Sequence, residues 1–371
     1  MKATCGSLAA RFVLGGVVAL SLSAADQNPA HQVAAEIQRL ESAWKQVSPT
    51  DPNADPNMAG VAASSRASLE AAGQALQSGR HYLALEKLAQ AADLFYGART
   101  VAEKAAAVSG MPAFEAEWGK ASLALASLSR ELQARKWNDS PAALRALSET
   151  SLGRSVPLLD GSRGFAVATG PKDGLFYLGE AQAGAEFARF CGSLPAVRKG
   201  RGWAARSLLP ELIALQGKAD AAFQPPRSVE QHPRFIALNS TIKLARELDS
   251  SKAYHGALYQ YLEAVRHCGM LDAAPADTAL QAKLKIDIEA ERAKLAGSAR
   301  DDSILQLFLE RAAAQAAHAD GSVPSADEWR SIQVILHQVM PAYAAALKPA
   351  PSLHQSRART IDVTLVRWPY T

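Results

Sequence analysis

Two short stretches of the chain repeat an arginine, a cysteine and a glycine at the same spacing. They are Arg189-x-Cys191-Gly192 and Arg266-x-Cys268-Gly269, the second with His267 beside the thiol. A thiol next to an imidazole is the pairing that nucleophilic catalysis uses, and both groups ligate zinc. The ordinary role of a lone helical histidine is to face solvent, and nothing else in the sequence completes a reactive set around His267. The other histidines, His31, His81, His232, His255, His318, His337 and His354, show no His-Glu-x-x-His spacing. There is no Gly-x-Ser-x-Gly elbow and no Gly-x-x-x-x-Gly-Lys-Ser/Thr phosphate loop. Asp301-Asp302 stands at the start of a helical pattern, where acids complement the helix dipole. Thr169-Gly-Pro-Lys-Asp-Gly174 reads as a turn before a helix, and Arg198-Lys-Gly-Arg201 as a solvated loop. No catalytic residue, cofactor site or metal site is therefore expected.

Whether the thiols are bonded depends on where the chain goes. Lys2 and Arg11 precede a short apolar run, Phe12 to Leu20, and Ser23-Ala-Ala25 supplies small residues before Asp26. That pattern is expected to be a secretory signal peptide, residues 1–25, cleaved after Ala25. The product is periplasmic or secreted, with no stable membrane insertion, since no second apolar run approaches the roughly 20 residues of a spanning helix. Cleavage removes Lys2, Arg11 and no acid, taking the formal charge from +4 to +2. With basic residues interspersed among acids, that balance argues against nucleic acid as a partner. Cleavage also removes Cys5 and leaves Cys191 and Cys268. In an oxidising compartment these two can form a disulfide contributing about 4 kcal/mol in the chain-entropy model. Alternatively they are two small apolar residues at helix ends, and equivalent positions in stacked units are commonly held apart.

The elements that would position these residues are helices. Val33, Ile37, Leu40, Trp44 and Val47 recur at alternating steps of four and three, an apolar stripe with charged residues off it. Similar patterns run over 59–78, 81–96, 112–135, 141–152, 174–191 and 202–222. Others cover 234–249, 252–268, 276–296, 301–318 and 326–346. Ser140-Pro141 reads as a cap followed by a first-turn proline, and Ser325-Ala-Asp-Glu328 as a capping box. Pro210 and Pro341 are expected to kink or divide their helices. Two stretches read otherwise. Residues 155–169 resemble a β-hairpin turning at Asp160-Gly161, and 361–368 alternate as a strand that pairs with it. The linker 224–233 divides a helical region, 26–223, from a second one, 234–371.

The Arg-x-Cys-Gly stretches belong to a longer repeat, Tyr-x-Gly, nine residues, then Arg-x-Cys-Gly-x-Leu. It joins Tyr177, Gly179, Arg189, Cys191, Gly192 and Leu194 to Tyr254, Gly256, Arg266, Cys268, Gly269 and Leu271. Gly269 is placed as a left-handed helix cap, and each copy is the second helix of an antiparallel pair that ends in a tight turn. Leu244, Ala245, Leu248, Tyr254, Ala257, Tyr261 and Ala264 resemble the packing positions of a tetratricopeptide-type repeat, as do Gly79, Ala84, Leu88 and Ala91. The resemblance covers two helix pairs, without the family's tryptophan or its terminal proline. It implies an all-α chain of antiparallel helical hairpins stacked as a repeat-like array, with a possible small β-sheet.

Such arrays bind macromolecules along concave faces, with aromatic and arginine anchors. The expected function is an exported scaffold that binds a cell-envelope protein or peptide without catalysis. Tyr177, Arg189, Tyr254, Tyr261 and Arg266 are the candidate binding surface, although the tyrosines also lie on apolar stripes. The competing expectation is a secreted hydrolase or lyase whose acid and base come from separate helices.

Overall fold

A computed structural model describes residues 29–47, 56–137, 139–195, 198, 200–224, 229–318 and 322–348. The fold is all-α. Its helices are α1 (Pro29–Val47), α2 (Pro56–Gln77), α3 (His81–Lys104), α4 (Met111–Ala134), α5 (Ala142–Ala168), α6 (Pro171–Ser193) and α7 (Leu209–Ala222). They continue as α8 (His232–Ser250), α9 (Tyr254–Asp272), α10 (Thr278–Ala296), α11 (Ser303–Ala316), α12 (Ala326–Val334) and α13 (Met340–Ala346). A π-helical turn, Ile335–Val339, joins α12 to α13. Among the described residues there is no strand, only an isolated bridge between Arg201 and Arg300.

The β-hairpin expected at 155–169 is instead the second half of α5, and its assignment is corrected here. Ser148, Ser151, Ser155, Leu159, Ser162 and Ala166 are all buried, at helical steps of three and four. Serines occupy most of that stripe, so a search for apolar periodicity passes over it. The hydroxyls are accommodated by hydrogen bonds to backbone carbonyls: Ser148 Oγ to Ala188 at 3.0 Å, Ser155 Oγ to Ser151 at 2.9 Å and Ser162 Oγ to Leu159 at 2.6 Å. The small stripe lets α6 approach closely. A Cβ on Gly184 would lie 2.4 Å from Ser155 Oγ and 2.7 Å from the Ser151 carbonyl. Residues 361–368, expected as the partner strand, lie outside the described residues.

Helix ends also differ from their local signals. Ser140 does not cap α5. The first amides of α5 are met across the fold: Ala142 N donates to Asp301 Oδ2 at 2.8 Å and Ala143 N to Ser303 Oγ at 2.9 Å. Glu310 does the same for α3, accepting from Leu83 N at 2.9 Å. Side chains at the start and in the middle of α11 thus satisfy donors that two helix starts leave free. The capping box at Ser325 and Glu328 is present as expected. Pro210 falls in the first turn of α7, where its missing N–H costs nothing, and Pro341 follows the π turn. Gly269 lies inside α9 rather than in a left-handed cap. At Gly269 the reason is contact, since a Cβ there would meet Val334 Cγ1 at 2.7 Å.

Short turns fold α2 onto α3, α5 onto α6 and α8 onto α9, and α3 also packs on α6 and α5 on α9. One apolar core runs from Val33 on α1 to Ala346 on α13, on both sides of the 224–233 linker. Helix α9 is buried over most of its circumference, from Gly256 to Leu271. A helix covered on nearly all sides is central, so the polar Gln260 and Glu263 are held inside the molecule.

Candidate functional site

Gln260 and Glu263 open into a cleft of about 760 Å³ between α3, α5, α8, α9 and α11. Its floor is an ion network. Arg311, on α11, places Nη2 2.6 Å from Glu86 Oε1 on α3 and Nη1 2.5 Å from Glu263 Oε1 on α9. One turn along α9, Arg266 Nε donates to Glu263 Oε2 at 2.9 Å. Tyr259 donates its hydroxyl to Glu86 Oε1 at 3.4 Å. Burial alone would push the Glu263 carboxyl up, but Arg311 and Arg266 reverse this and hold it near 2. Buried charges persist only when paired in this way.

His267 lines the same cleft. Burial, reinforced by Arg266, lowers its pKa to about 4, so the ring is neutral near pH 7. Its neighbour Cys268 turns instead to the apolar core formed with Leu215, Phe235 and Ile242. The two side chains that adjoin in sequence do not form a reactive pair. Both thiols are free in the structure, Cys191 fully buried and Cys268 partly.

The rim carries further cations. Lys87 bonds to the neutral Gln90 at 3.2 Å, and Lys243 is 4.0 Å from Glu247 with most of its side chain in solvent. Arg154 sits 3.1 Å from Asp93, which lies behind the wall. Five cations and three carboxylates line the cleft, an excess of two positive charges in a chain whose total is +4. Behind Arg154, burial lifts Asp93 to about 6, and burial together with Asp93 lifts Glu180 to about 7. Pro157, inside α5, also lines the cleft and has no N–H to give the Gly153 carbonyl.

A scan of protein-family models finds no match to the chain, and none is found among curated proteins or solved structures. The site must be read from its own chemistry.

A second cleft, also about 760 Å³, lies between the starts of α1 and α3 and helices α10 and α11. Its acids are occupied in holding the fold together. Asp301 caps α5, Glu310 caps α3, and Asp302 accepts from Tyr343 Oη at 3.0 Å and Ser298 Oγ at 2.6 Å. Among the described residues no three His, Cys, Asp or Glu side chains are grouped to hold a metal ion. No described helix is long and apolar enough to cross a membrane.

The five residues expected as a binding surface do not converge. Arg266 alone of them lines the large cleft. Tyr177 stacks on Phe165 with ring centroids 4.0 Å apart. Arg189 is exposed, pairs with Glu186 at 2.7 Å and lines a smaller groove with Tyr96. Tyr261 is half-buried against the apolar core, and Tyr254 is half-buried at the start of α9. Sequence reasoning missed Glu86, Glu263 and Arg311. Glu263 alone carried a local signal, as an acid amid the nearly continuous buried surface of α9.

Proposed function

We propose that the chain is an exported helical scaffold that binds a protein or peptide of the cell envelope, using the cleft of α3, α5, α8, α9 and α11. The observation that carries this reading is the burial of Gln260 and Glu263 on the central helix, where both open into that cleft. Polar groups held in a core are costly unless they are satisfied, and a wide polar cleft at their position suits a ligand. The pairs α2–α3, α5–α6 and α8–α9, laid side by side, agree with a stacked helical-hairpin array whose members jointly build one recognition surface.

Binding is favoured over hydrolysis or elimination by how the cleft spends its acids. Glu86 and Glu263 are tied to Arg311, and Glu263 is held ionised far below neutrality. The carboxyls pushed toward neutrality lie elsewhere: Asp93 and Glu180 are outside the lining, and Glu310 is committed to the α3 amides. A general acid or base needs a pKa near the working pH and access to substrate, and Glu263 and His267 are both held well below neutrality.

A photo-crosslinking residue at Gln90, on the rim, tests the reading against one at Leu123, 75% exposed on α4. In the envelope fraction of the producing cell, Gln90 is expected to trap one stoichiometric partner that Leu123 does not. Equal trapping at both positions, or none at either, rules the reading out.

A further inference from the structure

The floor of the cleft is neutral within itself, Glu86 and Glu263 against Arg311 and Arg266. The charge excess lies above it, on Lys87 of α3 and Lys243 of α8, since Arg154 of α5 is already paired with Asp93 behind the wall. Only Glu247 opposes them in the lining, at the 4.0 Å limit of an ion pair with Lys243. A second feature points to what enters. Glu86 Oε2 and Gln315 Oε1 are buried acceptors with no hydrogen-bond donor among the described residues, and both residues line the cleft. Gln90 and Gln260 also line the cleft.

Cations at the rim call for carboxylates, while unfilled acceptors lower down call for N–H donors. An inorganic anion answers the first and not the second. A polypeptide rich in aspartate or glutamate answers both, with its backbone amides directed inward and its side chains at the rim. We infer that the cleft recognises an acidic, extended peptide segment of the partner, its carboxylates met by Lys87 and Lys243 and its backbone amides by Glu86 and Gln315. The inference rests on the scaffold reading and specifies its ligand.

The test uses the purified chain and two short fluorescent peptides, one alternating glutamate and serine, the other lysine and serine. Fluorescence anisotropy at low salt is expected to show binding of the acidic peptide only, weakening as salt screens the rim. Lys87→Glu and Lys243→Glu should each weaken binding by roughly tenfold or more. Lys283→Glu, on exposed α10 away from the cleft, should leave it unchanged; Lys243 is 76% exposed, so its variant is not expected to disturb the fold. Inorganic phosphate should not displace the peptide beyond the effect of matched ionic strength. Equal binding of both peptides overturns the inference. So does full binding by both rim variants, or complete displacement by phosphate, which would reduce the cleft to a small-anion site. If Gln90 still crosslinks a partner when the acidic peptide fails, only the ligand chemistry is wrong; loss of the crosslink removes the scaffold reading itself.

Discussion

The guanidinium of Arg311 lies 2.5 Å from the carboxylate of Glu263, and its other terminal nitrogen holds Glu86 at 2.6 Å. All three side chains are largely shut off from water, so one cation bridges acids from two other helices. Removing it leaves Glu86 without its cation and Glu263 with Arg266 alone. Arg311→Met is expected to lower unfolding free energy by about 3–5 kcal/mol at pH 7, the cost typical of breaking a buried pair. Arg266 remains on Glu263, which favours the lower end. Urea denaturation checks this, and the deficit should shrink near pH 4.5 as the stranded carboxyls take up protons. A loss under about 1 kcal/mol at pH 7 would mean that solvent already reaches the network.

Much of this fold could be read from the chain, and little of the cleft. The stripe Val33, Ile37, Leu40 and Trp44 is buried as its spacing predicts, because large apolar side chains announce their own periodicity. The serine-lined half of α5 does not read as helix because its periodicity is carried by small polar residues, which are unremarkable until α6 is laid against them. The cleft is harder still. Glu86 and Arg311 are separated by 225 positions, so no local pattern joins them. Of the five anchors chosen by repeat position and residue type, Arg266 is in the cleft because it shares one face of α9 with Glu263. Tyr261 also stands on that helix but packs into apolar core, since repeat position does not decide which face meets a cavity.

The seam between α5 and α6 makes a volume prediction. Gly184→Ala adds one methyl that meets Ser155 Oγ and the Ser151 carbonyl well inside contact distance. Overpacking of this kind costs about 1–3 kcal/mol. Removing the hydroxyl in Ser155→Ala/Gly184→Ala should recover only part, because the carbonyl belongs to the backbone and cannot be deleted. A lowered urea midpoint in the single variant with full recovery in the double would show that the side chain alone sets the spacing.

Glu310 predicts a pH dependence. Burial raises its carboxyl from 4.5 to about 7 against the pull of the Leu83 amide, Gln306 and Arg292. The folded state therefore binds the proton more tightly than the unfolded one. Its contribution is fully present below pH 4.5 and is lost as pH rises to 7, amounting to about 3 kcal/mol at 1.36 kcal/mol per pKa unit. Glu310→Gln keeps an acceptor for Leu83 and does not ionise. The variant should match the parent at pH 4.5 and exceed it at pH 8. Asp93 and Glu180 slope the same way, whereas His255 and His267, lowered to about 3 and 4, lose stability as pH falls below 6.5. Taking the difference between parent and variant cancels these four. A constant difference across that window would place the Glu310 carboxyl at its ordinary value.

The cysteines give two outcomes that stability measurements separate. Cys191 is 1% exposed, and burial pushes its thiol well above the usual range; Cys268 is half-buried, and burial with Asp272 raises it less. With both thiols free, as the structure has them, the two positions answer substitution differently. Cys191→Ser puts a hydroxyl into the core and should cost about 1–3 kcal/mol, whereas Cys268→Ser should cost much less. A native thiol reagent should modify Cys268 slowly and leave Cys191 intact, with both reacting in denaturant. Were the two thiols cross-linked, either substitution would open the same loop. Both would then cost a similar amount, about 4 kcal/mol, and no thiol would appear on unfolding. Unequal losses with two titratable thiols therefore confirm the free pair, and equal losses with none establish the bridge.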